Sequence, residues 1–216
     1  MPSPDAYTVL ARPAQHEIEI RRSRFIACLR RVESEDEARA FFAEIAAAYP
    51  DARHRCTAFA LGPERRVQRS NDDGEPSGTA GRPMLEALTL ASPLGEPDLS
   101  DVAAVVVRYF GGVLLGAGGL TRAYSSAVSE ALETATFATR ARRELFAVSV
   151  PHANAGHVEA EIRRAGFAVA GTDYEAQAVI HVAAAAGAGE DLARLLASVT
   201  RGEAEPTPEG EAWIDV

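Results

Sequence analysis

Apolar residues in the first part of the chain recur with two different periods. They alternate with polar residues in segments that predict strands, namely residues 17–29, 53–61 and 65–69. The first of these segments predicts a hairpin or two strands, with a turn near residues 21–24. A capping-box pattern, Ser34-x-x-Glu37, predicts the start of a helix that ends before Pro50. The pattern is therefore that of a mixed protein with both strands and helices.

A continuous run of apolar residues, Val102 to Val107, predicts a strand that is buried on both faces. Five glycines follow within nine positions: Gly111, Gly112, Gly116, Gly118 and Gly119. From Leu120 to Ala135, apolar residues then recur at the spacing of an amphipathic helix. A strand, a glycine-rich loop and a helix N-terminus in this order can direct backbone N–H groups at an anion.

Two arginines flank this glycine loop (residues 110–119), Arg108 before it and Arg122 after it, and both can supply positive charge. Neither standard phosphate-binding signature is present. A P-loop ends in Gly-Lys-Ser or Gly-Lys-Thr, and this chain contains no lysine. The dinucleotide fingerprint begins correctly at Gly116-Ala117-Gly118 but lacks its later glycine. The alternative is that the glycines serve only tight turns and close backbone approach.

A second polar segment, residues 70–83, contains three carboxylates within four positions: Asp72, Asp73 and Glu75. These groups could bind a metal, polarise a water or orient an arginine such as Arg82 or Arg108. An ordinary solvated turn is the alternative, since Asp-Gly and Glu-Pro are common turn sequences. The spacing is not that of an EF-hand loop, and we assign no metal site and no cofactor. Pro83 then predicts the first turn of a further helix.

The acidic segment and the glycine loop are expected to converge in the folded protein. We predict that Asp73 or Glu75 hydrogen-bonds either to N–H groups of the glycine loop or to an arginine, from the set Arg82, Arg108 and Arg122. The side chains would then form one constructed surface instead of two unrelated turns.

One histidine lies close in sequence to this surface. His54, in a predicted strand, could form an acid–base pair with a carboxylate of the acidic segment, from the set Asp72, Asp73 and Glu75. Such a pair would suit hydrolysis of a phosphate-bearing or peptide substrate. Hydrolysis is therefore the alternative to a binding function.

The pattern starts again after the helix that follows the glycine loop. Residues 140–144 carry three arginines and a glutamate and predict a charged link between two domains, 1–138 and 143–216. Beyond the link the order of predicted elements is βαββαβ, which is typical of a ferredoxin-like unit. These elements are a strand at 145–150, a helix capped by Asn154 and ended by Gly166, strands at 167–170 and 176–183, a helix at 190–199 and a strand at 212–216. The predicted fold class is α+β with two domains.

Charge and composition narrow the function classes. The net charge of −9 opposes a general attraction to nucleic acid, so any RNA contact must be a local patch. All 22 basic residues are arginines, which suit bidentate phosphate contacts. Cys28 and Cys56 are too few for a disulfide framework or a zinc site, and they predict buried free thiols. We expect a cytoplasmic protein without membrane contact, because no apolar run reaches about 18 residues and no signal-peptide pattern is present.

Four motifs, in this order, resemble those of the IMPACT/YigZ family. They are S-R-F-I at 23–26, H-R-C at 54–56, S-N-D-D-G-E-P-S-G-T-A-G-R-P at 70–83 and V-V-R-Y-F-G-G-V-L-L-G-A-G-G-L-T-R-A-Y at 106–124. The match covers roughly residues 17 to 137. The resemblance implies a bacterial-type member with an N-terminal α/β domain like the second domain of a small-subunit ribosomal protein. A C-terminal domain comparable to a translation-factor domain is implied as well.

The resemblance also carries an expectation about function. The family has no settled enzymatic activity, and its eukaryotic members regulate translation by competing for an activator of a stress-responsive initiation-factor kinase. They use an additional N-terminal module, which we expect to be absent here. We therefore expect a translation-associated regulatory binding protein that contacts RNA, the ribosome or a ribosome-associated factor. Its anion or RNA surface is predicted to comprise Arg82, Arg108, Gly111, Gly112, Gly116, Gly118, Gly119 and Arg122.

Overall fold

The computed structural model describes residues 5–96 and 98–216. It is an α+β protein, and its internal contacts divide it into two units between Thr139 and Arg140. The predicted fold class, α+β with two domains, is confirmed. The domain limits 1–138 and 143–216 remain predictions. No helix in the described part of the chain is both long and apolar enough to cross a membrane.

The first unit is built around one five-stranded antiparallel sheet. Its elements, in chain order, are β1 (Ala6–Leu10), β2 (Ala14–Ile20), β3 (Ser23–Arg31), α1 (Glu35–Ala48), β4 (His54–Leu61), β5 (Val67–Asn71), α2 (Gly81–Leu90), β6 (Val102–Tyr109) and α3 (Ala117–Glu133). The sheet has the order β2-β3-β6-β4-β5. Residues Val102 to Arg108 of the central strand β6 are all buried, which confirms the buried strand predicted from the apolar run.

Different helices cover the two faces of this sheet, because successive side chains of β6 point to opposite faces. Val105 packs in one core with Phe41 of α1. Val106 packs in the other core with Met84 of α2 and Tyr124 of α3. The sheet is therefore a central layer with α1 on one side and α2 and α3 on the other.

The register of the sheet brings three side chains together at one end of β6. Arg108 lies opposite Phe25 of β3 and opposite His54 of β4. Residues directly opposite on neighbouring antiparallel strands have Cβ atoms about 4.5–5.5 Å apart and point to the same face. Because Phe25 belongs to the core under α2 and α3, this group faces those two helices.

Two elements of the first unit differ from the sequence predictions. The strand β1 has no counterpart among the predicted elements. Its Tyr7 contacts a distant part of the first unit, since the Tyr7 hydroxyl donates a 2.6 Å hydrogen bond to the buried Asp101. The helix α3 begins at Ala117, three residues before Leu120, because Gly116 with a φ of 70° forms its N-cap. The early residues of this helix were predicted as loop because three of the four residues at positions 116–119 are glycine.

The second unit has the predicted βαββαβ order. Its elements are β7 (Phe137–Val150), which crosses the division at Thr139, α4 (His152–Arg164), β8 (Ala168–Tyr174), β9 (Ala178–Ala184), α5 (Gly189–Val199) and β10 (Thr207–Asp215). The strands are ordered β10-β7-β9-β8, and all three pairings are antiparallel. The two helices share one core with this sheet, in which Val158 and Leu192 are buried. This is the strand order of a ferredoxin-like unit.

The predicted charged link is wrong. Residues 140–144 form part of β7 and pair with β10. The arginines fit into a strand because the partner strand presents acidic side chains. Nη1 of Arg140 lies 3.4 Å from Oδ1 of Asp215, and Nη1 of Arg142 lies 3.6 Å from Oε2 of Glu211. A dense run of charge therefore reflects cross-strand ion pairing here, instead of an exposed connection.

The predicted cap of the next helix is also wrong. The helix α4 begins at His152, directly after Pro151, whose fixed φ of −56° precedes the first turn. Asn154 lies inside that turn, and its N–H donates to the carbonyl of Pro151 at 2.8 Å. The last strand, β10, begins at Thr207, which is five residues earlier than predicted.

Candidate functional site

A cavity of about 290 Å³ lies in the first unit, at the end of the central strand β6. It collects residues from β4, from the acidic segment, from β6, from the glycine loop and from the start of α3. Its lining residues are Arg53, His54, Glu75, Pro76, Arg108, Phe110, Leu114, Leu115, Gly116, Ala117 and Leu120. The acidic segment and the glycine loop therefore meet at one cavity, which we call the β6 cavity.

The carboxylate of Glu75 joins the acidic segment to β6 and α3. Its side chain is only 4% exposed. Its Oε1 accepts a hydrogen bond from Nη1 of Arg108 at 2.5 Å and another from the hydroxyl of Tyr124 at 2.9 Å. The prediction that Glu75 hydrogen-bonds to an arginine is confirmed. Burial and the nearby Cys56 and Glu75 raise the pKa of the Tyr124 phenol, so this hydroxyl stays a donor.

Arg108 is a buried cation whose charge is already compensated. Its guanidinium carbon lies 5.3 Å from the ring centre of Phe25 and 5.6 Å from that of Phe110. Its Nε has no hydrogen-bond partner in the described part of the protein. Because Glu75 balances the charge of Arg108, this pair contributes polar groups to the β6 cavity but no net charge.

His54 has a defined ring orientation. Its Nδ1 lies 2.7 Å from the carbonyl oxygen of Asp73, and a carbonyl oxygen only accepts, so Nδ1 carries the proton in the neutral ring. The Nε2 atom is then a hydrogen-bond acceptor. It lies 3.9 Å from Oε1 of Glu75, beyond hydrogen-bond distance. Since that oxygen already accepts two hydrogen bonds, the predicted acid–base pair stays a prediction without a direct hydrogen bond to support it.

The other two carboxylates hold the acidic segment in its turn. Asp72 accepts hydrogen bonds from the backbone N–H groups of Gly78, Ala80 and Gly81 at 2.8–3.0 Å. Burial alone would raise the pKa of Asp72, but these three donors outweigh it, and the pKa is lowered. Asp73 accepts from the N–H of Arg55 at 2.7 Å. These contacts support the turn interpretation for Asp72 and Asp73.

Both cysteines are buried and free, as predicted. Burial raises the pKa of the Cys56 thiol to about 12, and its Sγ donates to the carbonyl of Asp72 at 3.0 Å. Burial likewise raises the pKa of the Cys28 thiol to about 11. Neither thiol is therefore a nucleophile near neutral pH.

The glycines of the loop have different structural roles. A Cβ on Gly111 would lie 2.1 Å from the backbone carbonyl group of Arg22, so this glycine permits a close backbone approach. Gly112 and Gly116 have φ values of 85° and 70°, which residues other than glycine rarely adopt. Gly118 lies in the first turn of α3, as does Gly119.

The N-terminus of α3 opens into the β6 cavity through Gly116 and Ala117. No side chain caps this end of the helix, and its first turn contains no acidic residue. The first N–H groups of a helix lack partners within the helix and carry a partial positive charge. This end of α3 therefore has the geometry of an anion-binding group.

Three exposed arginines lie around the cavity. Arg53 lines it, Arg21 donates from Nη1 to the carbonyl of Leu114 at 3.4 Å, and Arg122 places Nη1 close to Gly118. We call these three the basic rim. Only Arg122 of these three is a site residue predicted from the sequence, although Arg53 is the neighbour of His54 in sequence.

Arg82 lies apart from this site. It is absent from the lining of the β6 cavity, and its Nε pairs with Glu86 at 2.9 Å along the exposed surface of α2. A larger cavity of about 480 Å³ lies between α2 and α3, and its lining includes Glu86 and Glu133 but no arginine. That lining does not suit an anion.

The apolar residues of the glycine loop are unusually exposed. Phe110 is 42% exposed, Val113 39% and Leu114 81%. The sequence pattern indicates a role for the glycines of this loop but none for these apolar residues. The sequence feature that could have indicated them is the run of apolar residues at positions 113–115. That run is too short to predict a helix or a strand.

Comparisons with known proteins place this two-unit architecture in a known class. Residues 21–132 match the family model described as the Impact N-terminal domain, and residues 148–203 match a domain of unknown function (DUF1949). The chain is 36% identical over 200 residues to the IMPACT family member YigZ of Escherichia coli, covering 92% of this chain and 95% of that protein. The chain therefore belongs to the IMPACT family.

One further relative and one solved structure are also similar to this chain. The chain is 43% identical over 162 residues to the IMPACT family member YvyE of Bacillus subtilis, covering 75% of this chain and 72% of that protein. A solved structure titled as the crystal structure of a hypothetical protein is 32% identical, with a TM-score of 0.63. That match covers 94% of this chain and 97% of the solved one.

Proposed function

We propose that this chain is a translation-associated regulatory protein that contacts RNA, alone or within a ribosome-associated factor, through the basic rim. The observation that carries the proposal is the arrangement of cations around the β6 cavity. Exposed Arg53 lines the cavity together with an uncapped helix N-terminus, exposed Arg21 contacts Leu114 of the glycine loop, and exposed Arg122 lies close to Gly118. Glu75 is the only carboxylate among the residues that line the cavity, and it is paired with Arg108.

This arrangement supports RNA binding in spite of the acidic composition. The net charge of −9 weakens long-range attraction of a polyanion. At the basic rim, however, the only carboxylate of the cavity lining is paired with Arg108, so the exposed arginines are left to contact phosphate. RNA affinity is then expected to depend on a few phosphate contacts and to fall steeply with salt.

The link to translation comes from the family. The eukaryotic members of the family regulate translation, and we propose that the shared core has a related role here. Translation takes place in the cytoplasm, so we propose the same location for this protein. The RNA phosphate contacts are the part of the proposal that the site itself supports.

The proposal is tested by titrating a fluorescein-labelled single-stranded RNA with the full-length protein and measuring anisotropy at several salt concentrations. Replacing Arg122 or Arg53 by alanine should weaken binding of every RNA sequence to a similar degree. Each replacement should also reduce the slope of log affinity against log salt by about 0.7–1, because one phosphate contact is lost.

The matched control is Arg39→Ala. Arg39 is exposed on α1, on the opposite side of the sheet, and pairs with Glu35 and Asp36. Its loss changes the net charge equally, so the affinity and the salt slope should stay close to those of the unaltered protein. Equal effects of Arg39→Ala and Arg122→Ala, or no effect of the rim variants, would contradict the proposal.

A further inference from the structure

The shape of the β6 cavity carries information beyond its charge. A phosphate group alone needs hydrogen-bond donors and positive charge, whereas this cavity also has apolar walls. Those walls come from Phe110, Leu114, Leu115 and Leu120. Apolar walls favour a flat, weakly hydrated group, and a nucleobase is such a group when it is neither stacked nor paired.

Phe110 provides a ring on which a base can stack. The guanidinium of Arg108 lies over this ring at 5.6 Å from its centre, yet the residue remains 42% exposed. One part of the ring is therefore supported from within the protein while another part stays open. Aromatic rings held in this way are the usual stacking platforms of proteins that bind single-stranded nucleic acids.

Polar groups at the inner end of the cavity suit the edge of a base. Nε2 of His54 is an acceptor, because the proton of the neutral ring is held at Nδ1 by Asp73. The guanidinium of Arg108 belongs to the lining of the cavity and offers donors. Base edges carry donors and acceptors side by side, so they can match both groups.

The phosphate of the same nucleotide would lie at the mouth of the cavity. There the N-terminus of α3 contributes Gly116 and Ala117 to the lining, and Arg53 adds an exposed cation. The lining thus combines buried polar groups, apolar side chains and an exposed cation. These three kinds of group match the edge, the face and the phosphate of one nucleotide.

We infer that the β6 cavity holds one unstacked nucleotide of a single-stranded RNA, with the base against Phe110 and its phosphate at the start of α3. The inference rests on the proposed RNA contact and adds the strand state that is recognised. Duplex RNA keeps its bases stacked and paired, so it reaches only the basic rim.

The test compares three fluorescein-labelled probes of equal length: a single-stranded RNA, the same strand in a duplex, and a ribose-phosphate strand without bases. The full-length protein should bind the single strand most tightly. Phe110→Ala should weaken binding of the single strand by about 5- to 150-fold, the range for loss of one stacked base. Binding of the duplex and of the strand without bases should stay unchanged.

Two further variants separate stacking from simple packing. Phe110→Leu keeps an apolar side chain but has no ring, and it should bind the single strand as weakly as Phe110→Ala. Phe110→Tyr keeps the ring and should restore the affinity. Tyr174→Ala is the control, because it removes an exposed ring from β8 in the second unit and should have no effect.

Failure of this inference is distinguishable from failure of the RNA proposal. Equal affinity for the three probes, or full affinity of Phe110→Leu, would overturn the nucleotide cavity. If Arg122→Ala still weakened binding in that case, the phosphate contact would stand. Far-ultraviolet circular dichroism melting curves of each variant verify that a lost affinity does not come from unfolding.

Discussion

At the scale of single residues, the most consequential contact is the buried pair of Glu75 and Arg108. Both side chains are less than 8% exposed, and the carboxylate also accepts from Tyr124. Such a pair adds little to the free energy of unfolding compared with apolar residues of the same shape. Each partner does, however, compensate the charge of the other in the interior. Removing one partner leaves the other uncompensated.

Glu75→Gln should therefore destabilise the protein strongly. The change leaves the buried charge of Arg108 without a counter-charge, and the expected loss is about 3–5 kcal/mol of unfolding free energy. Glu86→Gln is the matched control, because the pair of Glu86 with Arg82 is exposed and should contribute less than about 1 kcal/mol. Urea unfolding followed by far-ultraviolet circular dichroism measures both. A loss below about 1 kcal/mol for Glu75→Gln would contradict the structural role.

Part of this cluster could be predicted from the sequence. The convergence of Glu75 with Arg108 followed from two polar segments and a small set of arginines. The contribution of Tyr124 did not, because its helical spacing indicates only a core position. Its ring does pack in the core, 5.2 Å from the ring centre of Phe25, while its hydroxyl reaches Glu75. A sequence pattern cannot separate the two ends of an amphipathic side chain.

At the scale of elements, the glycine loop combines both interpretations of its sequence. Gly111 is needed for close backbone approach, which was the alternative interpretation. Gly116 forms the uncapped N-terminus of α3, which is the arrangement that an anion site requires. The packing role and the proposed binding role therefore fall on different glycines of one loop.

Gly111→Ala should destabilise the first unit. The new Cβ would lie 2.1 Å from the backbone of Arg22, so the β2–β3 turn or the loop must shift, at a cost of about 1–3 kcal/mol. Gly156→Ala is the control: Gly156 lies inside α4, where a Cβ meets no atom within 4 Å, and alanine should stabilise that helix by about 0.5–1 kcal/mol. Thermal melting of the two variants should shift in opposite directions. A shift of Gly111→Ala to higher temperature would contradict the close approach.

Element prediction failed where long-range pairing decided the structure. Residues 140–144 carry too many charges to be predicted as a buried strand. They form a strand in the folded protein because they pair with β10, which presents acidic side chains to them. The helix α1 was predictable because its cap is local: the Oγ of Ser34 accepts from the N–H of Glu37 at 3.2 Å. Local capping is visible in sequence, whereas the identity of a cross-strand partner is not.

At the scale of the whole molecule, an acidic protein carries a local basic surface. The net charge is −9, yet the basic rim of Arg21, Arg53 and Arg122 has no unpaired carboxylate among the residues that line its cavity. Overall charge thus limits non-specific attraction, and the rim supplies the proposed contact. The sequence could show that such a patch must be local, but only the fold shows which arginines form it.

RNA binding at the β6 cavity is tested most directly by ultraviolet crosslinking to a single-stranded RNA, trypsin digestion and mass spectrometry, which locate the bound RNA on the protein. Trypsin cleaves after Arg108 and Arg122, so the glycine loop is released as the single peptide Tyr109–Arg122. Crosslinks should form in this peptide, with Phe110 among the modified residues, and they should be lost at high salt. RNA that is bound yet crosslinked only to peptides of the second unit would contradict binding at the β6 cavity.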